Sequence, residues 1–263
     1  MNDNVSEKRF MVQYFPPVPA VENMGVKGSR FYALIIGVNH YQDESIPDLD
    51  NPTKDAERLY NILTTKYVFD TANTIFIRDA RRADIIDALD HLAKIVSPSD
   101  NVLIFYAGHG WWDREANIGY WLPADARKES KADWFSNSRL VDYLRAVRSK
   151  HTLLIADACF TGAIFKTRSA FDDAPRAIAK LYELPSRKAM TSGTLTEVPD
   201  HSAFMKYLCE RLEQNQKKYL SSEQLFSSFR LAVINNSDAI PQYGEIRNVG
   251  DEGGDFIFIR RNP

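Results

Sequence analysis

The stretch NVLIFYAGHG at residues 101–110 decides the fold, because a short apolar run leads directly into a His between two glycines. A run of this length bounded by turn residues is typical of a strand that is buried on both faces. The stretch HTLLIADACFTG at residues 151–162 has the same form and leads into a Cys. Ligands bind beyond the carboxyl ends of parallel strands, so the sequence predicts that His109 and Cys159 lie at one sheet edge.

Helical and strand-like patterns alternate along the rest of the chain. Further strand-like runs are FYALIIGV (31–38), TIFIRD (74–79), KAMTSG (188–193) and FIFIR (256–260). Helical spacing of apolar residues recurs over residues 52–63, 85–96, 140–147, 202–214 and 221–234. This alternation predicts an α/β fold with a mainly parallel sheet that is covered by helices on both faces. We expect residues 1–29, which contain PPVP, to form an arm or linker before a single domain over residues 30–263.

The composition of the chain indicates which partners and which cellular compartment to expect. The chain has 33 basic and 35 acidic side chains and a net charge of −2, which gives no electrostatic case for nucleic acid or an anionic membrane as partner. Two cysteines are too few for a disulfide framework, and the start MNDNVSEKRF lacks the profile of a secretory signal. The apolar runs are far shorter than the roughly 20 residues of a membrane helix. We therefore expect a cytoplasmic protein with no nucleic-acid or membrane partner.

A thiol beside an imidazole is the pairing that nucleophilic catalysis uses. The imidazole takes the thiol proton, and the thiolate attacks a carbonyl carbon. This chemistry makes His109 and Cys159 the candidate catalytic residues. The oxyanion that forms needs backbone N–H donors, for which the amides of Gly110 and Cys159 are the candidates. Taken singly, either side chain is more often structural, and a domain that binds peptides or scaffolds an assembly without catalysis remains the alternative.

Three blocks of the sequence resemble the caspase and metacaspase family, and in particular its prokaryotic members, the orthocaspases. They are YALIIGVNHY (32–41) with KDAERL (54–59), FYAGHG (105–110) and DACFTG (157–162). His109 and Cys159 are 50 residues apart, and caspases have about the same interval. The resemblance covers about residues 30–260. It implies a caspase-hemoglobinase sandwich with a six-stranded sheet, and a cysteine endopeptidase with these two residues as its dyad.

The resemblance also implies a substrate preference. In metacaspases, the positions matched by Asp55 and Asp157 line the S1 pocket, which holds the side chain before the cleaved bond. Animal caspases have Gln at the second position. Two carboxylates in a narrow pocket repel each other, whereas a guanidinium or ammonium group neutralises them and donates hydrogen bonds to them, in pairs from a guanidinium, so we expect cleavage after Arg or Lys. The alternatives are a turn or capping role for Asp157 and a helix N-terminal role for Asp55.

The sequence of three further segments predicts a function for each. The region around Ser192 corresponds to the one where relatives pair with an extended substrate, so this residue is a candidate for substrate binding. Residues 109–134 are polar and aromatic and predict a long functional loop.

The segment between the Cys block and the next strand is where relatives carry the linker that is cut on activation, and an ordinary solvated loop is the alternative. Candidate self-processing sites in it are Lys166, Arg168, Arg176 and Arg187.

Metal ions and activating partners are less well specified by the sequence. Many metacaspases need calcium, and Asp125 or the pair Asp172 and Asp173 offers oxygen atoms. The chain lacks EF-hand spacing, and a hard cation needs six or more ligands, so we expect no cofactor and no tightly bound metal, with calcium activation left open. The expected partners are a protein or peptide substrate and an activating protein. Relatives occur in bacterial stress, cell-death and defence pathways, any of which suits a self-processing zymogen.

Overall fold

The computed structural model describes residues 28–158, 165–166, 175–193 and 201–261. The strands and helices predicted from the sequence are present there, close to their predicted positions. The strands are β1 (Phe31–Gly37), β2 (Thr74–Arg78), β3 (Asn101–Ala107), β4 (Gly110–Asp113), β5 (Ile118–Trp121), β6 (Phe135–Ser136), β7 (His151–Asp157), β8 (Phe165–Lys166), β9 (Ser186–Thr191), β10 (Tyr219–Ser221), β11 (Gln242–Ile246) and β12 (Ile257–Ile259). The helices are α1 (Pro52–Lys66), α2 (Arg82–Ile95), α3 (Asn137–Ala146), α4 (Pro175–Glu183), α5 (Ala203–Gln214) and α6 (Ser222–Asn236).

The central sheet has the order β2-β1-β3-β7-β9-β11-β8. Its first five strands are parallel, because each pairs in parallel with its neighbour, whereas β11 and β8 are antiparallel. The predicted mainly parallel, six-stranded sheet is confirmed, and the two-residue strand β8 extends it by one at the edge. All residues of β1, β3 and β7 are buried, as continuous apolar runs predict for strands covered on both faces.

Helices cover the sheet on both faces and divide the core into two layers. In β1, Leu34 packs in the layer with helices α2 and α3, whereas its neighbours Ala33 and Ile35 pack in the layer with α1, α5 and α6. Side chains alternate between the faces of a strand, so a strand buried on both sides supplies both layers. The result is the three-layer sandwich that the alternating pattern predicts.

Two smaller sheets lie outside the central one. Strands β4, β5 and β6 form an antiparallel sheet in the order β4-β5-β6, so the expectation of a long loop over residues 109–134 was wrong for part of that segment. Its strands have only two to four residues, and the polar turn between β4 and β5 hides their alternation. The last predicted strand is present as β12, but it pairs with β10 rather than with the central sheet.

Some expectations fall outside this description. Residues 1–27 of the predicted arm are not among the described residues, so the arm and the domain boundary at residue 30 stay predictions. Within the described ranges, none of the helices is long and apolar enough to cross a membrane.

Candidate active site

The two candidate strand ends are neighbours in the central sheet. Strands β3 and β7 pair in parallel with Ala107 directly opposite Asp157. At the same point, the backbone N–H of Gly108 lies 3.4 Å from the carbonyl oxygen of Asp157. His109 is the second residue after Ala107, and Cys159 is the second residue after Asp157. The structure therefore places His109 at the sheet edge where β7 also ends, while Cys159 itself lies outside the described residues.

Two contacts from the segment after β1 hold His109. Its backbone N–H donates to the hydroxyl oxygen of Tyr41 at 2.8 Å, and its Nε2 lies 2.9 Å from the carbonyl oxygen of Pro47. The ring also packs on Tyr41, with 5.0 Å between the ring centroids. A carbonyl oxygen can only accept, so Nε2 carries the proton and Nδ1 of the neutral ring is the basic atom. The role of Pro47 could not be predicted from the sequence, because any residue type supplies a backbone carbonyl.

Two carboxylates hold the segment that supplies these contacts. Asp48 accepts from the backbone N–H of Tyr41 at 2.9 Å and lies 2.8 Å from Nδ1 of His40. Asp79 accepts from the backbone N–H groups of Asn39 and His40 at 2.7 and 3.0 Å. The hydrogen bond between Asp48 and His40 lowers the pKa of Asp48 and raises the pKa of His40. The exposed pair adds little stability, but the backbone contacts fix the position of Tyr41 and the residues beside it.

The glycine before His109 leaves room for two tyrosine hydroxyls. Gly108 has φ +153°, and a Cβ there would lie 2.9 Å from Tyr106 Oη and 3.1 Å from Tyr41 Oη. The Tyr106 hydroxyl lies 2.8 Å from the carbonyl oxygen of His109 and 2.9 Å from that of Leu122. A side chain at position 108 would push these groups apart, which explains the glycine in physical terms.

Gly110 is the first residue of β4, and its N–H faces away from β5. The backbone N–H of Leu122 donates to the carbonyl oxygen of His109 at 3.0 Å, so these two residues form a hydrogen-bonded pair. In an antiparallel ladder such pairs alternate with pairs that do not exchange hydrogen bonds. Gly110 lies opposite Trp121, and this pair, next to the hydrogen-bonded pair, does not exchange hydrogen bonds. Its N–H therefore has the outward direction that an oxyanion donor requires.

Asp157 is a buried carboxylate at the end of β7. It is 4% exposed, and among the described residues its Oδ1 has no hydrogen-bond partner. Burial raises the pKa of Asp157 to about 6, while the neighbouring hydroxyls of Ser202 and Ser192 act in the opposite direction. Ser192 is itself buried, and its backbone N–H donates to the carbonyl oxygen of Ala156 at 3.1 Å. A buried carboxyl group with an unused oxygen has the capacity to bind a cation.

Asp55 and Asp157 face the same layer of the core, because Asp55 is on α1, and Asp157 shares with Leu153 and Ile155 the face of β7 that α1 covers. Asp55 lines a pocket of about 360 Å³ together with Ser202, and Ser202 lies beside Asp157. Burial raises the pKa of the Cys209 thiol to about 12, and the charges of both carboxylates contribute to that rise. Ser202 was not among the residues predicted from the sequence, and its hydroxyl caps α5 by accepting from the backbone N–H of Met205 at 3.1 Å. The only signal was a serine before a helix, which predicts a cap and not a binding role.

The candidate self-processing sites lie in different elements of the fold, and one of them is buried in the central sheet. Arg187 is 8% exposed within β9, and its guanidinium donates to the carbonyl oxygens of Lys150 and Ser149 at 3.0 and 2.7 Å. Cleavage after Arg187 would require β9 to leave the sheet, so the structure argues against this site. Lys166 lies in β8 and Arg176 in α4, whereas Arg168 is outside the described residues.

The calcium candidates give no assembled site. Asp125 accepts from the backbone N–H of Arg82 at 2.8 Å and so binds the first turn of α2. In the part of the chain that the structure describes, no three or more His, Cys, Asp or Glu side chains form a group that could hold a metal ion. Asp172 and Asp173 lie outside that part, and the expectation about calcium stays untested.

Known proteins resemble this chain both in sequence and in fold. Residues 30–247 match the family model of the caspase domain, Peptidase_C14. Metacaspase-1 from two strains of Saccharomyces cerevisiae is 30% identical over 89 residues, which cover 31% of this chain. The match spans only 20% of the length of these yeast relatives.

Two solved structures share the fold. Caspase-1 from Spodoptera frugiperda has a TM-score of 0.60 at 17% identity, over 89% of this chain and 94% of its own. A protein from Geobacter sulfurreducens has a TM-score of 0.57 at 18% identity, over 81% of this chain and 92% of its own. At these identities the likeness concerns the fold alone, and it agrees with the predicted caspase-like sandwich.

Replacing the buried carboxyl group should stabilise the protein. Asp157 has a pKa of about 6 against the ordinary 3.8, so the folded state binds its proton more tightly than the unfolded state does. Stability is therefore lost as the pH rises from about 4 to 6, and at neutral pH Asp157→Asn should raise the free energy of unfolding by about 2–3 kcal/mol. Urea unfolding at pH 4, 5, 6 and 7 measures the difference.

Asp90→Asn is the matched control, because Asp90 is an exposed carboxylate in α2. It should leave the unfolding free energy nearly unchanged at each pH. A difference between wild type and Asp157→Asn that is the same at pH 4 and pH 7 would contradict the raised pKa.

Proposed function

Because the chain belongs to the caspase-domain family of cysteine peptidases, we propose that it is an endopeptidase that cleaves proteins after Arg or Lys with a Cys159–His109 dyad. The observation that carries this proposal is the register of the two central strands, in which Ala107 lies opposite Asp157. Each candidate residue comes two positions after one member of this pair, His109 after Ala107 and Cys159 after Asp157. Both therefore follow the ends of strands that are direct neighbours. This is the arrangement that a nucleophile and its base require.

The proposed reaction uses His109 first as a base and then as an acid. Nδ1 takes the proton of the Cys159 thiol, and the thiolate sulfur attacks the carbonyl carbon before the cleaved bond. The carbonyl oxygen becomes an oxyanion, which accepts hydrogen bonds from the N–H groups of Gly110 and Cys159. The imidazolium returns its proton to the leaving amine as the C–N bond breaks. Water, deprotonated by the same imidazole, then hydrolyses the thioester and restores the thiol.

The carbonyl of Pro47 supports both forms of the imidazole. It accepts from Nε2 at 2.9 Å when the ring is neutral and keeps Nδ1 free for the thiol. When the ring becomes an imidazolium, the same hydrogen bond is made by a charged donor and is stronger. A single carbonyl therefore takes the orienting role that a carboxylate has in Ser-His-Asp enzymes, so the dyad needs no third side chain.

The preference for Arg or Lys follows from the buried carboxyl group. Burial desolvates Asp157 and raises its pKa to about 6. A guanidinium or ammonium group beside it would favour the charged form and occupy the unused oxygen. Asp55, which lines the adjoining pocket, would add a second negative charge. An acidic or apolar side chain would leave Oδ1 of Asp157 as the described residues leave it, buried and without a hydrogen bond, which costs on the order of several kcal/mol.

A set of fluorogenic peptides tests the proposal. Peptides that end in Arg, Lys, Asp or Ala before the fluorophore are compared for kcat/KM with wild type and Cys159→Ala. The Arg and Lys peptides should be turned over about a hundredfold faster or more than the other two, and Cys159→Ala should abolish turnover. Asp157→Asn should raise KM for the Arg peptide, whereas Asp90→Asn should leave it unchanged.

Two outcomes would contradict the proposal in different ways. Faster turnover of the Asp peptide than of the Arg peptide would refute the pocket assignment. Failure to observe any turnover that depends on Cys159, with calcium and without it, would favour the alternative of a non-catalytic domain for peptide binding or scaffolding. Cytoplasmic location, an activating protein partner and a role in bacterial stress, cell death or defence stay predictions from composition and resemblance.

Self-processing is a separate part of the proposal. An Arg- or Lys-specific enzyme could cleave its own chain after Lys166, Arg168 or Arg176, and Arg187 is protected by its burial in β9. Intact mass after incubation should show fragments that end at one of these three residues for wild type, and the full mass for Cys159→Ala. Equal masses for the two proteins would rule self-processing out.

A further inference from the structure

Strand β4 starts at Gly110, immediately after His109, and forms one edge of the small sheet β4-β5-β6. In an antiparallel ladder, successive residues of a strand point their backbone N–H and C=O groups alternately toward and away from the neighbouring strand. The backbone groups of Trp111 therefore face β5, while those of Gly110 and Trp112 face the side of β4 away from β5. Within the described ranges, no strand pairs with the outer side of β4. An edge of this kind can accept an extended peptide as an additional strand.

The same strand carries an exposed aromatic surface. Trp111 is 51% exposed, and it lies opposite Tyr120 across the ladder. The ring centroid of Trp134 is 5.9 Å from that of Trp111 and 5.5 Å from that of Tyr120. We name these three residues the aromatic platform. Exposure of half an indole beside a catalytic residue is a feature of binding surfaces rather than of cores.

The charges beside the platform are paired. Lys131 forms an ion pair with Asp113, and its ammonium group lies 5.9 Å from the ring centroid of Tyr120. Asp113 is two residues beyond Trp111 on the same strand and so shares its face. With this acid and base neutralised by each other, the platform offers an apolar surface to a ligand.

We infer that β4 and the aromatic platform bind the part of the substrate that follows the cleaved bond, with a large apolar side chain at its second position. This inference rests on the proposed function and extends it to the leaving side. His109 must protonate the leaving amine, so the departing segment begins at His109. Side chains two residues apart in an extended chain share a face and are about 7 Å apart. Trp111 therefore lies where the second residue of that segment passes.

Other exposed apolar residues do not have this position. Leu231 is 66% exposed on α6, and Ile240 is 54% exposed between α6 and β11. Neither lies on an edge strand that starts at a catalytic residue. The combination of outward backbone groups, an exposed indole and direct continuity with His109 is what distinguishes the platform as a subsite.

Two internally quenched peptides test the inference. They are identical, with Arg before the cleaved bond, except that the second residue after that bond is Leu in one and Gly in the other. Wild type should show a kcat/KM about tenfold higher for the Leu peptide. Trp111→Ala should reduce that ratio to about one, Trp111→Phe should retain part of it, and the matched control Leu231→Ala should leave it at the wild-type value.

The outcomes separate this inference from the function on which it rests. A wild-type ratio near one, or an unchanged ratio in Trp111→Ala, would overturn the inference while cleavage after Arg still stands. Absence of any turnover that depends on Cys159 would remove the proposed function and the inference with it. Binding of the uncleaved Leu peptide to Cys159→Ala, measured by fluorescence anisotropy, should weaken about tenfold when Trp111→Ala is added, and equal affinity would also overturn the inference.

Discussion

The in-register parallel pairing of β3 with β7 is the constraint on which the site depends. The seven residue pairs of this ladder run from Asn101 opposite His151 to Ala107 opposite Asp157, and every residue of both strands is buried. A shift by one residue would turn each side chain to the opposite layer of the core. Burial on both faces therefore fixes the register, and the register fixes which residues follow the two strand ends.

The positions around the strand ends are held at a cost that the core must offset. Asp157 loses its hydration at the end of β7, and its pKa rises to about 6. Asp79 has φ +49°, which is uncommon for a residue other than glycine, and its carboxylate accepts from two backbone N–H groups of the segment that contacts His109. Strain and desolvation of this kind persist where the surrounding structure determines the geometry, and they often mark functional sites.

Much of the fold could be predicted because its signals are local. The apolar run before His109 and the run before Asp157 indicate buried strands, and two strands that end in catalytic residue types indicate a shared edge. The small sheet was hidden because β4 and β5 are separated by a polar turn and have only four residues each. The buried position of Arg187 was also hidden, because backbone carbonyls accept from Nη1 and Nη2 of its guanidinium, and their arrangement is a property of the folded chain.

The parts of the site that the sequence did not reveal are backbone groups and shared side chains. Pro47 contributes a carbonyl oxygen to His109 from 62 positions away, and no side-chain pattern marks it. Ser202 carries the signal of a helix cap and also lies beside Asp157. Resemblance predicts that Asp55 and Asp157 line the substrate pocket, whereas their placement on one side of the sheet required the structure.

The central claim is that His109 activates Cys159, and the rate of Cys159 alkylation tests it most directly. Iodoacetamide is added at pH 6.5 to wild type, to His109→Ala and to the control His91→Ala, and mass spectrometry follows each cysteine. Cys209 is an internal reference, because burial raises its pKa to about 12. We predict that Cys159 reacts at least about tenfold faster in wild type and His91→Ala than in His109→Ala, because the imidazole stabilises the thiolate. Equal rates in all three proteins would contradict the claim.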